Sequence, residues 1–485
     1  MGECNDYTLE RDAPPKMIQR CYGGVLYLDG AGPSMSNIYR LDQCAVPMIQ
    51  SMRATGLMVD LSHFARMETE LVRDMDSLTE QVHTMTGHYV NLDSGDQVAD
   101  LLFNKMKLKQ ARIKMTKSGD RESVEDEVLK AIQHEHPVVS LLQDYKELSK
   151  LLGTYVRPMP KLARRTKFGT WRMFPNLSHT RGPSGRLNCK DPNLLAMPTR
   201  TERGQEIRKG FIAEDGWCYL SVDESQIEVR VAAHRSGDEN LIAVYEDEQD
   251  VYYDFATSAF KKEDKRYKDK DGWHYPGIDK NKERFPAKTC VLASIYDVTA
   301  GGLVEQLPVV CKHCSVGAKK HMEEGCSKFL AHWNENNTQD MINAFYLKYV
   351  GLMQMRKADH QTMMRKAMIW DDWGRILHVM AVRSVLEWVV SGALREGANF
   401  PIQSTAQGTV KITMGQVWED LEEGGLLEVA QPVLQVHDEL LFVCREDVAE
   451  DIAKLVKYRF ETCVQFRVPI KASSAIAANW GSLEK

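Results

Sequence analysis

Two short acidic segments, about two hundred residues apart, limit what this chain can fold into. One is Gln435-Val436-His437-Asp438-Glu439-Leu440, entered from Pro432-Val433-Leu434 and left through Leu441-Phe442-Val443. Apolar, β-branched runs on both sides of an acidic pair read as two strands joined by a tight turn that carries carboxylates. The other is Asp223-Glu224-Ser225-Gln226-Ile227-Glu228, preceded by Cys218-Tyr219-Leu220-Ser221-Val222, a buried strand that ends at Asp223. Either segment alone reads as a surface turn with acidic residues. Together they place an Asp at each of two strand ends, and a fold that sets those ends side by side builds one oxygen-rich site for a hard cation such as magnesium. A pair of such ions ~4 Å apart stabilises both the attacking and the leaving oxygen of a phosphoryl transfer.

Between them lies Arg284-Phe285-Pro286-Ala287-Lys288-Thr289-Cys290-Val291-Leu292-Ala293-Ser294-Ile295-Tyr296. On a helix, Arg284, Lys288 and Tyr296 fall along one face, with Leu292 between the last two. Pro286 sits in the first turn, where a missing amide proton does least harm. Two cations and an aromatic on one face suit a triphosphate and its base. A solvated basic helix accounts for the charges but not for the order of the three segments. In that order they resemble motifs A, B and C of the family A DNA polymerases, the group that includes bacterial DNA polymerase I and many phage replicases. Asp223 to Glu228 with Val229-Arg230 is similar to motif A, Arg284 to Tyr296 to motif B, and Gln435 to Leu440 to motif C.

Further matches extend over nearly the whole chain. Lys150-Leu151-Leu152-Gly153-Thr154-Tyr155 resembles the base of the thumb, and Gly185-Arg186-Leu187 with Asp191-Pro192-Asn193-Leu194 and Pro198 the block before motif A. Asn399, Pro401, Gln403, Thr405 and Ala406 fit the pattern that follows motif B, and Asn479-Trp480 the family's usual close. The first forty residues carry no match.

The resemblance implies an α+β right-hand fold: an antiparallel palm sheet flanked by helical fingers and a helical thumb, with DNA in the cleft. It implies a phage-type DNA-directed DNA polymerase, a nucleotidyltransferase of DNA replication that adds dNTPs to a primer 3′ end by two-metal-ion transfer. Asp223 and Asp438, with the backbone carbonyl of Glu224, are then the ligands of two magnesium ions, for which manganese is a substitute. Lys288 joins the aspartates as a catalytic group that protonates the leaving pyrophosphate. Arg284, Lys288, Leu292, Tyr296, Gln226 and Glu228 are implied in nucleotide binding, with Glu228 against the sugar edge and hydrogen-bonded to Tyr296. Arg186, Asn193, Thr154, Gln403, Gln435 and His437 are implied in contacts to primer-template DNA, reading shape rather than sequence.

Three positions depart from the family pattern. Glu224 stands where the family has Tyr, Tyr252 (in Asp250-Val251-Tyr252) where it has a phosphate-holding His, and Leu292 where it has an aromatic. An insertion, Lys262 to Asn281, also lengthens the loop ahead of motif B. Two other classes of function share parts of this pattern. A single-subunit RNA polymerase has the paired aspartates, but Glu228 would collide with a ribose 2′ hydroxyl. A non-catalytic DNA-binding relative would be expected to lose Asp223, Asp438 or Lys288, and all three are present.

Composition permits this reading without suggesting it. A chain of 485 residues with 43% apolar and 27% charged residues has room for about three globular units. A net charge of −6 excludes a generally basic nucleic-acid binder, so DNA contact needs local basic surface. Lys161 to Arg186 supplies one such stretch; Lys261 to Lys288, with Asp and Glu mixed in, reads equally as a solvated insertion. Eleven scattered cysteines fit a reducing compartment. Cys311, Cys314, His321 and Cys326 lie close enough to suggest zinc, but reduced thiols are the expectation. With no signal peptide or apolar span, a cytoplasmic monomer is expected, in a bacterial or phage-infected cell. A separate exonuclease, helicase or processivity factor would be its protein partners.

The expected organisation is a short segment at 1–40 without an exonuclease domain, thumb and palm-packing helices at 41–156, and the first palm part with motif A at 157–235. Fingers with motif B follow at 236–398, and a β-rich second palm part with motif C at 399–485.

Overall fold

The computed structural model describes residues 17–21, 24–28, 33–109, 115, 122–199, 201–270, 272–312 and 331–483. Helices α1 (Met35–Cys44) and α2 (Val46–Thr55) lead to the long α3 (Leu61–Thr86). Asp60 starts α3 by accepting from the amides of Ser62 (2.9 Å) and His63 (3.1 Å), and Gly87 ends it at φ 69°, a left-handed conformation that favours glycine. Helix α4 (Val138–Leu151) packs along α3. Val82 of α3 and Leu142 and Tyr145 of α4 help to close an apolar core separate from the rest. Lys117-Ser118-Gly119-Asp120, whose polar residues and Gly suggest a break in the helices of 41–156, lies outside the described residues.

Strand β1 (Trp217–Glu224) runs straight into α5 (Ile227–Ser236). Next come α6 (Val251–Ala259), a hairpin of β2 (Tyr267–Asp269) and β3 (Gly272–His274), and α7 (Phe285–Ile295). Helices α8 (Glu335–Lys348), α9 (Val350–Lys366) and α10 (Glu387–Glu423) follow. The chain then returns through β4 (Ala430–Val436), β5 (Glu439–Arg445), α11 (Ala449–Thr462) and β6 (Ala472–Ala477).

The central sheet has the order β4-β5-β1-β6, with every neighbouring pair antiparallel. Its strands are apolar in continuous runs because helices cover them: Met48 and Met52 of α2, Val410 and Met414 of α10, and Val456 and Phe460 of α11 share the sheet's core. A second core joins Ile227 and Val229 of α5, Phe255 of α6, Cys290 and Val291 of α7 and Phe345 of α8. Helix α7, the motif B helix, is therefore fixed directly to the helix that continues from motif A.

The expected boundary at 398/399 falls inside α10, so residues 399–423 are helical and the β-rich segment starts only at Ala430. The physical reason is burial. From Phe400 to Val417 nearly every residue of α10 is buried, which leaves no apolar stripe at helical spacing to read. Pro401 lies inside this helix. Thr409 and Thr413 hydroxyls donate to carbonyls one turn back, at 3.0 and 3.2 Å, which satisfies these hydroxyls in the interior.

Candidate active site

Strand pairing brings the two acidic segments together. Glu439 of β5 stands opposite Asp223 of β1, so the turn residues His437 and Asp438 project next to the end of β1. The Glu224 amide donates to the Asp438 carbonyl at 3.2 Å. His437 takes φ 59°, as a tight two-residue hairpin turn requires, and Gln435 Nε2 donates to the His437 carbonyl across that turn. Beneath it, Ser221 Oγ donates to Glu439 Oε1 at 2.5 Å in a buried contact.

Alternation along β1 sends Asp223 and Glu224 to opposite faces. Asp223 is partly exposed, whereas Glu224 is 1% exposed and both its carboxylate oxygens are buried without a hydrogen-bond partner. Burial, then the nearby Asp438 and Asp223, raises its pKa well above the ordinary value. The Glu224 side chain is thus turned into the protein, toward Cys463 at the end of α11.

The loop after β1 is held tightly. Ser225 donates its amide to the Lys471 carbonyl (2.8 Å), and Arg230 Nε donates to the Ser225 carbonyl (2.8 Å). The Arg230 guanidinium lies 4.3 Å from the Tyr245 ring centroid. Gln226, at φ 59°, accepts from Tyr245 Oη at 2.9 Å. This packing directs Glu228, on the first turn of α5, toward the cleft.

A cavity of about 340 Å³ opens over the strand ends, and Asp438, His437, Arg186, Glu228, Tyr296 and Gln403 all line it. Glu228 is ion-paired with Arg186. Tyr296 Oη is buried beside Glu228 and Gln403, and Arg186 Nη2 reaches Glu228 Oε1 from the other side. Burial, with Glu228 beside it, raises the Tyr296 pKa. The cleft wall and the Arg186 guanidinium together hold the His437 imidazole below its ordinary pKa. A second cavity, of about 350 Å³, shares Arg186 and His437 with the first and adds Asn193 and Gln435. Five of the six residues implied in DNA contact therefore line two adjoining cavities. Thr154 lies elsewhere, exposed at the base of α4, where its neighbour Tyr155 donates to the Ala196 carbonyl (2.6 Å).

The motif B cations sit at the start of α7. Arg284 precedes α7, and its Nη2 is 2.5 Å from Asp250 Oδ2. Its guanidinium lies 5.4 Å from the Tyr252 ring centroid and 4.8 Å from that of Tyr253. Lys288 Nζ is also 5.4 Å from the Tyr252 centroid. Leu292 is partly buried against the second core. Tyr296 follows the last residue of α7, so Arg284 and Tyr296 flank the helix that carries Lys288 and Leu292.

These residues suit magnesium. Among the described residues no group of three or more His, Cys, Asp or Glu side chains forms a ready metal cage. Magnesium is commonly held by one or two carboxylates plus substrate phosphates, and Asp223 and Asp438 meet that need. Of the cysteine set weighed for zinc, Cys311 is buried, and Cys314, His321 and Cys326 lie outside the described residues.

An antiparallel sheet with paired acidic strand ends, fixed against a helix flanked by Arg284 and Tyr296, defines a polymerase-type hand. The sequence profile of DNA polymerase family A matches residues 61–482, and the chain belongs to that family. It is 31% identical over 438 residues to the thermostable DNA polymerase I of Thermus aquaticus, covering 90% of this chain and 47% of that protein. It is 29% identical over 467 residues to DNA polymerase I of Chloroflexus aurantiacus, covering 93% and 44%. The chain thus spans about half the length of the curated relatives it matches. The fold is similar to that of the POL domain of Pol1 from M. smegmatis, solved in complex with DNA primer-template and dNTP, with TM-score 0.77, 22% identity and coverage of 92% of this chain and 72% of that one.

Sequence reasoning missed Asp250 as the partner of Arg284, Tyr253 as its second aromatic, and the Arg186–Glu228 pair. Asp250 had a signal: an Asp before an apolar-periodic run is a helix N-cap. It accepts from the amides of Tyr252 (2.8 Å) and Tyr253 (3.1 Å), which fixes the carboxylate where Arg284 reaches it.

Proposed function

We propose that this chain is a DNA-directed DNA polymerase that extends a primer 3′ end with dNTPs on a DNA template. The observation that carries the reading is the juxtaposition of the Asp223 and Asp438 segments through the Glu224–Asp438 backbone hydrogen bond, with Asp438 lining a cavity walled by Glu228 and Tyr296. Asp223, Asp438 and the Glu224 carbonyl would hold two magnesium ions, or manganese in their place. Bound there, the metal lowers the pKa of the primer hydroxyl and neutralises charge on the leaving pyrophosphate. Arg284 binds the triphosphate and Lys288 protonates the departing pyrophosphate. Tyr296 and Glu228 receive the base and sugar, and Leu292 packs behind them. Arg186, Asn193, Gln403, Gln435 and His437 follow the primer-template duplex. Synthesis, rather than editing, is the activity proposed for residues 61–482, which match the polymerase family.

Primer extension by the purified protein tests this. Asp223→Ala or Asp438→Ala should lower magnesium-dependent turnover by roughly a thousandfold or more while primer-template affinity stays within about threefold, since each carboxylate holds metal rather than DNA. Near-normal turnover in either variant would refute the assignment.

A further inference from the structure

The hairpin inserted ahead of α7 is bolted to the residues that hold Arg284. Just after β3, Tyr275 stacks on Tyr253 with ring centroids 4.6 Å apart and planes within 4°. Tyr253 lies in turn 4.8 Å from the Arg284 guanidinium. The Asp250 amide donates to Tyr275 Oη at 2.8 Å, so the same phenol supports the residue that ion-pairs with Arg284. The rest of the insertion is anchored too. Trp273 Nε1 donates to the Asp247 carbonyl (2.8 Å), Arg266 pairs with the buried Asp254 of α6 (2.8 Å), and Lys262 pairs with Glu283 (2.7 Å). A solvated loop would show few of these contacts.

We propose that this hairpin is part of the incoming-nucleotide site, and that Tyr275 is a positioning residue that sets Arg284 for the triphosphate. The inference rests on the polymerase reading above. Tyr275 acts on Arg284 by two routes. The stack through Tyr253 fixes the plane against which the guanidinium lies, and the hydrogen bond to the Asp250 backbone fixes the start of α6, from which the Asp250 carboxylate reaches Arg284. A guanidinium held in one orientation loses less freedom when phosphate oxygens bind it, so affinity for the nucleotide depends on the rack. The chemistry recognised is a triphosphate, through a planar cation already backed by aromatic rings. Tyr275 does not touch the reacting atoms, and its effect belongs to binding rather than to the chemical step.

Steady-state primer extension with varied dNTP separates the outcomes. Tyr275→Ala should raise KM for dNTP by about three- to tenfold, the usual scale of one lost aromatic pair, with kcat within about twofold. Tyr275→Phe keeps the stack and loses only the hydrogen bond to the Asp250 amide, so it should recover most of the loss. In an Arg284→Ala background, adding Tyr275→Ala should change KM little, because the path to the nucleotide is already cut. Fully additive effects, or kcat and thermal midpoint falling together with KM unchanged, would overturn the proposal. If the wild-type chain extends primers and Tyr275→Ala matches it in KM, the inference fails alone. If the wild-type chain does not extend primers at all, the functional reading fails with it.

Discussion

Replacement of Glu228 gives the sharpest test of how the site reads the sugar. The Glu228 side chain lines the same cavity as Asp438 and Tyr296 and is 24% exposed, so most of it is packed against neighbours rather than in water. A ribose 2′ hydroxyl directed at this wall would have to displace it. Forcing an extra group into a packed site typically costs about 1–3 kcal/mol. At 1.4 kcal/mol per decade, that is about five- to 150-fold in the ratio of deoxy- to ribonucleotide specificity constants. Glu228→Ala should lower the ratio by that amount.

The ion pair to Arg186 complicates a single substitution. The Arg186 side chain is 37% exposed, so solvent screening leaves the pair worth about 1 kcal/mol or less. Glu228→Gln removes the charge but keeps the bulk, and should leave the ratio within about threefold of wild type. The assay is single-turnover incorporation of each dNTP and its ribose counterpart opposite a matched template base. An unchanged ratio in Glu228→Ala with deoxynucleotide incorporation intact would refute the steric argument. An equal loss in the Gln and Ala variants would show that charge, not size, sets the gate.

Two further predictions concern stability. Asp371, 1% exposed, accepts from Ser404 Oγ (2.5 Å) and from the Arg375 amide (2.7 Å), and burial pushes its carboxyl from an ordinary 3.8 up to about 6. Because its folded pKa is the higher one, the folded state binds the extra proton between these values, and Asp371 should lower stability by up to about 3 kcal/mol as pH rises through that window. Urea melts at pH 5 and pH 7 should show that slope in wild type and lose it in Asp371→Asn. Glu224→Leu removes a buried carboxyl without partners and should raise stability by about 1–3 kcal/mol, read as a higher urea midpoint at unchanged m value. Extension should persist in that variant, since the proposed ligand at position 224 is its backbone carbonyl; loss of extension would place the side chain in the chemistry.

The parts legible in the sequence are those set by local pattern. An acidic pair between two apolar runs becomes the β4–β5 hairpin, and Pro286 at the start of a helical run becomes the first turn of α7. The family resemblance singles out Arg186, Glu228, Tyr296, Gln403, His437 and Asp438, which line the cavity over the strand ends. Contacts set by distant partners were not legible. Glu228 meets Arg186 across 42 residues and Arg284 meets Asp250 across 34, separations that no local pattern specifies. Helix α10 escaped because burial around its circumference removes the periodicity on which a helix assignment depends.

Under the proposed function, the same pairs let a chain of net charge −6 bind a polyanion selectively. Arg186 and Arg284, the guanidinium groups assigned to DNA and to the triphosphate, are each matched here to a carboxylate, Glu228 and Asp250. A phosphate can engage either cation only by exchanging for that partner, so the gain per contact is a difference between two ion pairs. An arbitrary anion profits little from such an exchange. A ligand that engages both cations, and also brings a base to Tyr296 and metal to Asp223 and Asp438, gains at every point. Selectivity then rests on the coincidence of contacts rather than on bulk charge, which reconciles an acidic chain with the nucleic-acid substrate proposed for it.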